Sequence, residues 1–464
     1  MINNQPHNFI KFKQCDLSYL RSQLLEDLSN EHFAILLGKS ERIGNTSIIN
    51  VIEIRYLRPD HYVSRSRGHL KVDKDFVRGV LAEVQDRFDV DTVIDVHTHP
   101  FALQSVGFSG VDDNDEKGFL KFIDKHFDNW GYASIVFSQT EYSARVWSIR
   151  KGKPSYETAL IKTQTAPENI KSSDFDRTHF YDFEPNDSPD KDGFSSRSTL
   201  ALGLKTMRLI AKNQAITIVG VGGLGSIIAE HVVHLGFQQI NLIDNDVVEF
   251  SNLNRIVGVY FSDAEQKTAK VDAIKAHLKN INPSIEVNAF RNDIHDSEIE
   301  EVLALSDWIF LATDNHSSRF KTQELSVKYF VPLISVGVNI TVKDGEMTDM
   351  SGEVITARIG DKLCLNCLGR INQTKVHFDL LPDEAIKEKL LDRGYISGGE
   401  VKEPAVKTLN SFLATMAVET LINQYTLRQK HKPIVVYENN KSMSISEDLL
   451  SVRNRNLNCF YCTV

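Results

Sequence analysis

The stretch Ala215-Ile216-Thr217-Ile218-Val219-Gly220-Val221-Gly222-Gly223-Leu224-Gly225-Ser226 decides the fold. Its apolar opening reads as a buried strand, its glycines as a tight loop, and Ser226 to Leu235 as a helix. Glycines at 220, 222 and 225, with Gly223 beside them, form a dinucleotide-type fingerprint, in which backbone approaches phosphate at a helix N-terminus. A second strand, Gln239 to Ile243, ends at Asp244, where a carboxylate can hold ribose hydroxyls. Leu200 to Ala211 and Lys267 to Leu278 read as helices, and Trp308 to Ala312 as a buried strand ending at Thr313-Asp314. This alternation predicts a doubly wound, mostly parallel sheet with its site at the C-terminal ends of the strands.

The region before it predicts a separate, small α/β domain. Ala34 to Leu37, Ser47 to Ile54, Tyr132 to Phe137 and Ala144 to Ile149 read as strands, and Lys74 to Phe88 and Phe119 to Phe127 as helices. The strand Thr92 to Val96 leads directly into His97-Thr98-His99-Pro100. Residues two apart on a strand point the same way, so His97 and His99 can reach one metal. Asp112, at an acidic helix start, supplies an oxygen ligand, and Glu31, ahead of an apolar strand, is the expected general base. Two histidines, one carboxylate and an open position make a catalytic zinc site, whose water is acidified from about 15.7 toward about 7. Ser109 would steady a developing oxyanion.

The pattern of a distant Glu31, then His97-x-His99-Pro100, then Ser109-x-x-Asp112 resembles the JAB/MPN (JAMM) metalloproteases, over residues 1–155. Eight residues separate Pro100 from Ser109, a longer loop than the family's. The resemblance implies cleavage of a modifier from its precursor or its targets.

The stretch Asp244-Asn245-Asp246-Val247-Val248-Glu249-Phe250-Ser251-Asn252-Leu253-Asn254-Arg255, with Lys270 and Thr313-Asp314-Asn315, resembles the ThiF-like activating enzymes for ubiquitin-like proteins, which are Rossmann-like. The resemblance runs over about residues 195–464 and implies ATP-dependent adenylation of a C-terminal glycine. Attack of a carboxylate on the α-phosphorus builds charge that Arg255 and Lys270 would neutralise, with magnesium held by Asp314. It also implies nucleotide contacts from Asp244, Asp246, Asn252 and Asn254, and a homodimer in which Arg197 reaches the partner's phosphates. Where the family has Asn-Arg-Gln, this chain has Ile256 after Arg255.

Cys364-x-x-Cys367 and Cys459-x-x-Cys462 have the spacing of a tetrahedral structural zinc site. The fifth cysteine is Cys15. Activating enzymes that form a thioester carry a further cysteine. At its expected place, the loop Asp392 to Glu400, this chain offers only the hydroxyl of Ser397.

The chain has 464 residues and a net charge of −9. That length suggests more than one domain, and the acidic balance argues against nonspecific nucleic-acid binding. No long apolar run or signal-like N-terminus stands out, so the expectation is a cytoplasmic protein. The predicted organisation is a metalloprotease domain (1–155), a turn-rich linker (156–196) and an adenylation domain (197–464). Expected cofactors are ATP, Mg2+ and two Zn2+, one catalytic and one structural. Expected partners are a ubiquitin-like protein ending in glycine and a conjugating enzyme. The alternative is activation of a sulfur carrier, with a non-catalytic N-terminal docking module.

Overall fold

The computed structural model describes residues 8–13, 16–163, 171–172, 193–211, 214–381, 405–440 and 442–462. The chain divides into two compact units, Met1–Pro185 and Asn186–Val464. Among the described residues, no helix is long and apolar enough to cross a membrane.

The strands of the first unit are β1 (Asn8–Phe12), β2 (Phe33–Ile43), β3 (Thr46–Tyr56), β4 (Tyr62–Ser66), β5 (His69–Val72), β6 (Thr92–Thr98), β7 (Gly131–Phe137), β8 (Glu141–Arg150), β9 (Lys153–Thr158), β10 (Leu160–Thr163) and β11 (Lys171–Ser172). They form one sheet in the order β10-β1-β3-β2-β6-β7-β8-β11, with β9 beside β8 and β4-β5 a separate hairpin. Period-2 alternation buries both faces. Ala34, Leu36, Ile94 and Val96 pack on the side of the helix Asp16–Leu24. Ile35, Leu37 and Val93 pack against the helices Lys74–Val84 and Gly110–His126. The linker expected from residue 156 starts too early: β9 runs to Thr158, and β10 pairs in register with β1. Leu160 and Ile161 supply β-forming side chains there, outweighing the polar composition around them.

The second unit holds β12 (Ala215–Val219), β13 (Gln239–Ile243), β14 (Glu286–Phe290), β15 (Trp308–Leu311), β16 (Leu333–Lys343), β17 (Glu346–Ala357), β18 (Ile434–Asn439) and β19 (Met443–Glu447). Their order is β14-β13-β12-β15-β16-β17-β18-β19. The first five are parallel, as expected of a doubly wound sheet. The last three run antiparallel, so the sheet is mixed rather than mostly parallel. The β16–β17 turn explains the reversal: Asp344 and Gly345 sit at φ 53° and 83°, the left-handed pair that a two-residue hairpin needs. The helix Lys407–Thr426 packs on β16 and on the helix Gly223–His234. The helix expected over Leu200 to Ala211 is broken by Gly203, at φ 84°, into Ser196–Leu202 and Leu204–Ala211.

Candidate functional site

Strand register assembles the first site. β2 and β6 are antiparallel with Phe33 opposite His97, so the residues entering β2 lie beside those leaving β6. The His32 N–H donates to Thr98 Oγ1 at 2.9 Å and the Thr98 N–H to the His32 carbonyl at 3.1 Å, fixing Glu31 next to the histidines. The Glu31 N–H also donates to Ser66 O, at 2.8 Å. From the helix Gly110–His126, Asp112 approaches His97 Nε2 at 3.5 Å and His99 Nε2 at 3.7 Å.

Ligand atoms of His97, His99 and Asp112 all lie within 4.8 Å of one another. His97 Nε2 is buried with no hydrogen-bond partner among the described residues, which suits a metal-facing nitrogen. Two imidazoles and a carboxylate are the donor set zinc takes, so these residues fit it. Burial and the neighbouring His97 lower the His99 pKa to about 4, keeping that ring neutral as a ligand must be. Burial would raise the Asp112 pKa, yet His97 and the Ser109 hydrogen bonds hold it well below the usual carboxylate range. Burial pushes Glu31 up to about 7, with His97 opposing and Asp112 assisting. A carboxyl that titrates there can both take and return a proton at neutral pH.

Ser109 caps the helix. Its Oγ accepts from the Asp112 N–H at 3.2 Å, and its own N–H donates to Asp112 Oδ2 at 2.6 Å. The long loop after Pro100 therefore does not move Ser109 away from Asp112. The loop itself is pinned: Ser105 N–H donates to Glu141 Oε2 at 2.7 Å, and Gln139 Nε2 to the Pro100 carbonyl at 3.0 Å.

Below the site lies a buried charge network that the sequence reading missed. Arg145, 2% exposed, pairs with Asp113 at 2.7 Å and Glu116 at 2.9 Å, and its guanidinium covers the Phe108 ring at 3.7 Å. The spacing of Asp113 and Glu116, three residues apart on one helix face, was the available signal. Arg145→Met would leave Glu116 buried and uncompensated. We expect the first unit to lose about 3–5 kcal/mol in chemical denaturation of the full chain.

The second site collects at the C-terminal ends of β12, β13 and β15. Gly220 (φ 84°) lies against Ala312 and Thr313, beside Asp314, and a Cβ on Gly225 would lie 1.9 Å from the Gly220 carbonyl. Neither position admits a side chain. Asp244 Oδ2 accepts the Val221 N–H at 2.8 Å, and burial raises its pKa, with Lys270 opposing. Lys270 Nζ donates to Asp246 Oδ2 at 2.6 Å. The Arg255 guanidinium donates to the Ser251 carbonyl at 2.6 Å and to Asn254 Oδ1 at 3.1 Å. Asp314 is exposed.

Asn252 is buried, with Oδ1 accepting the Glu249 N–H at 3.1 Å, so it shapes the turn. Ile256 is 5% exposed and belongs to the core. Arg197 sits exposed on the helix Ser196–Leu202. Cys15 and Ser397 lie outside the described residues.

Cys364, Cys367, Cys459 and Cys462 are buried, with sulfurs all within 4.8 Å of one another. Cys364 Sγ and Cys459 Sγ are 3.6 Å apart. Zinc–sulfur bonds of about 2.3 Å in a tetrahedron put sulfurs about 3.8 Å apart, and a disulfide needs about 2.05 Å. The four thiols therefore fit zinc and not disulfides. Hydrogen bonding among the sulfurs lowers the Cys367 pKa and raises those of Cys364 and Cys462, as in a cluster that shares protons until a cation replaces them.

Residues 196–461 match the model of the ThiF family, and the chain belongs to that family. The tRNA threonylcarbamoyladenosine dehydratase of Bacillus subtilis (strain 168) is 33% identical over 141 residues, 30% of this chain and 54% of that protein. The SAMP-activating enzyme E1 of Haloferax volcanii is 28% identical, over 33% of this chain and 52% of its own length. The molybdopterin-synthase adenylyltransferase of Escherichia coli (strain K12) is 31% identical, over 34% and 60%. The chain thus spans about half the length of the curated relatives it matches. E. coli MccB with ATP is similar at 20% identity and a TM-score of 0.44, covering 58% of this chain and 75% of that one.

Proposed function

We propose that the chain is a bifunctional enzyme of a ubiquitin-like protein pathway. Its second unit adenylates the C-terminal glycine of a ubiquitin-like protein with MgATP. The observation that carries this reading is the gathering of the glycine loop, Asp244 and Asp314 at three adjacent strand ends, with Arg255 beside Gly223. A carboxylate oxygen of the substrate attacks the α-phosphorus, the bond to the bridging oxygen breaks, and pyrophosphate leaves with that electron pair. Arg255 and Lys270 offset the charge that develops, Lys270 by exchanging Asp246 for phosphate. Asp244 holds the ribose, and Asp314 anchors magnesium. Asp314→Ala is expected to reduce modifier-dependent exchange of pyrophosphate into ATP about a hundredfold or more. Undiminished exchange would remove Asp314 from the reaction.

The first unit is the opposing activity, a zinc isopeptidase that matures or removes the modifier. His97, His99 and Asp112 would hold the zinc, which would supply Lewis acidity and an acidified water. The Glu31 carboxylate would accept a proton from the attacking water as its oxygen bonds to the scissile carbonyl carbon, and would pass that proton to the nitrogen as the C–N bond breaks. Ser109 keeps Asp112 in place by capping its helix. Two zinc ions per chain, one at each ligand set, are the expected metal content; a value near one would favour a docking module.

A second reading is activation of a sulfur carrier, favoured by relatives named as a molybdopterin-synthase adenylyltransferase and a sulfur carrier protein ThiS adenylyltransferase. A conjugating enzyme as partner belongs to the first reading. Transfer of the activated modifier to an amine, against formation of a thiocarboxylate, separates them. A homodimer through the adenylation unit, with Arg197 reaching the partner's phosphates, is part of both.

A further inference from the structure

Asn410 stands in the first turn of the helix Lys407–Thr426 and is 3% exposed. Its Oδ1 is buried with no hydrogen-bond partner among the described residues. Its Nδ2 would lie 2.3 Å from a Cβ on Gly223, and Arg255 Cγ and Cδ would lie 3.2 Å from the same point. The amide therefore rests over the start of the helix Gly223–His234, next to Arg255, where Gly222 provides no side-chain cap. That is the phosphate end of the nucleotide site, because unpaired N–H groups and the helix dipole favour anions there.

The amide turns Nδ2 toward Gly223, and Oδ1 is not among the atoms nearest that point, so the unpaired acceptor is the end facing away from the glycine loop, and phosphate oxygens, which only accept, cannot satisfy it. The other molecule that must reach the α-phosphorus is the carboxylate substrate. A peptide carries an N–H on the carbon adjoining its terminal carboxylate, so a donor arrives with the attacking group. Leucine has nearly the shape of asparagine and would fill this volume with no polar atom unpaired. A polar group left unpaired in the interior destabilises the fold, so a role toward a ligand accounts for it.

We propose that Asn410 is a substrate-binding residue whose Oδ1 accepts the N–H of the substrate's last residue, selecting carboxylates that bear an adjacent amide. The inference rests on the adenylation reading and adds the chemical class of its substrate.

The test uses the full chain, MgATP and two synthetic peptides, one ending in Gly-Gly and one whose last residue is glycolate, with an ester oxygen replacing the final N–H. In pyrophosphate exchange the wild-type chain should favour the amide peptide about tenfold or more in kcat/KM, the discrimination expected when a site's polar group is left unpaired. Asn410→Leu should erase that preference by losing activity on the amide peptide alone. Its ATP affinity by calorimetry should be unchanged, and its melting temperature unchanged or higher. A preference that persists in Asn410→Leu, or is absent from the wild-type chain, overturns the proposal while leaving adenylation standing. A wild-type chain that binds no ATP and exchanges with neither peptide overturns the adenylation reading, and the proposal with it.

Discussion

Replacing Glu31 by Gln should slow cleavage of a linear modifier fusion by about a thousandfold, within the range that loss of a general base produces. The substitution keeps the shape of a side chain that is 6% exposed and the backbone bonds that seat it, so folding should hold. What disappears is a carboxyl whose pKa burial has pushed up to about 7. Zinc content should be unchanged, because His97, His99 and Asp112 are the residues assigned to the metal. Pyrophosphate exchange should also be unchanged, since Glu31 belongs to the other compact unit. Cleavage that survives would remove Glu31 from the chemistry, and an equal fall in exchange would mean that the two activities are not separate.

Cys364→Ser is expected to lower zinc content by one per chain and to destabilise the second unit strongly. Apparent binding energies of structural zinc are about 10–16 kcal/mol in small domains, and much of that is folding energy. In this chain the cluster ties the segment holding Cys459 and Cys462 to the turns around Cys364 and Cys367. Arg455 Nε, donating to the Lys362 carbonyl at 3.0 Å, and Asn456 N–H, donating to the Cys367 carbonyl at 2.9 Å, reinforce that tie but are partly exposed to water. Metal analysis with a thermal melt checks the prediction. Unchanged zinc and an unchanged melt would show that these sulfurs hold no metal.

Much of the two candidate sites can be read along the chain because each rests on local chemistry. His97 and His99 alternate onto one face by the strand's own period, and the glycines at 220 and 225 answer steric demands of a single loop. Other features were written in the chain but easily passed over. Asp344-Gly345 between two alternating runs is a hairpin signal, and it accounts for the antiparallel half of the second sheet. Leu160 and Ile161 extended the first sheet because a neighbouring strand, β1, was available to pair with them.

By itself, then, the sequence determined which residue types are available for metal, phosphate and thiolate chemistry, and the local elements that carry them, because those follow from spacing along the chain. Only the tertiary structure decided which distant residues meet. Glu31 reaches the histidines through the β2–β6 register, and Arg145 finds Glu116 across the sheet–helix interface. Asn410 comes to rest over Gly223, 187 residues earlier in the chain, because the helix Lys407–Thr426 packs on the helix that the glycine loop begins. Such pairings depend on how buried surfaces close against one another, and no one-dimensional period encodes that.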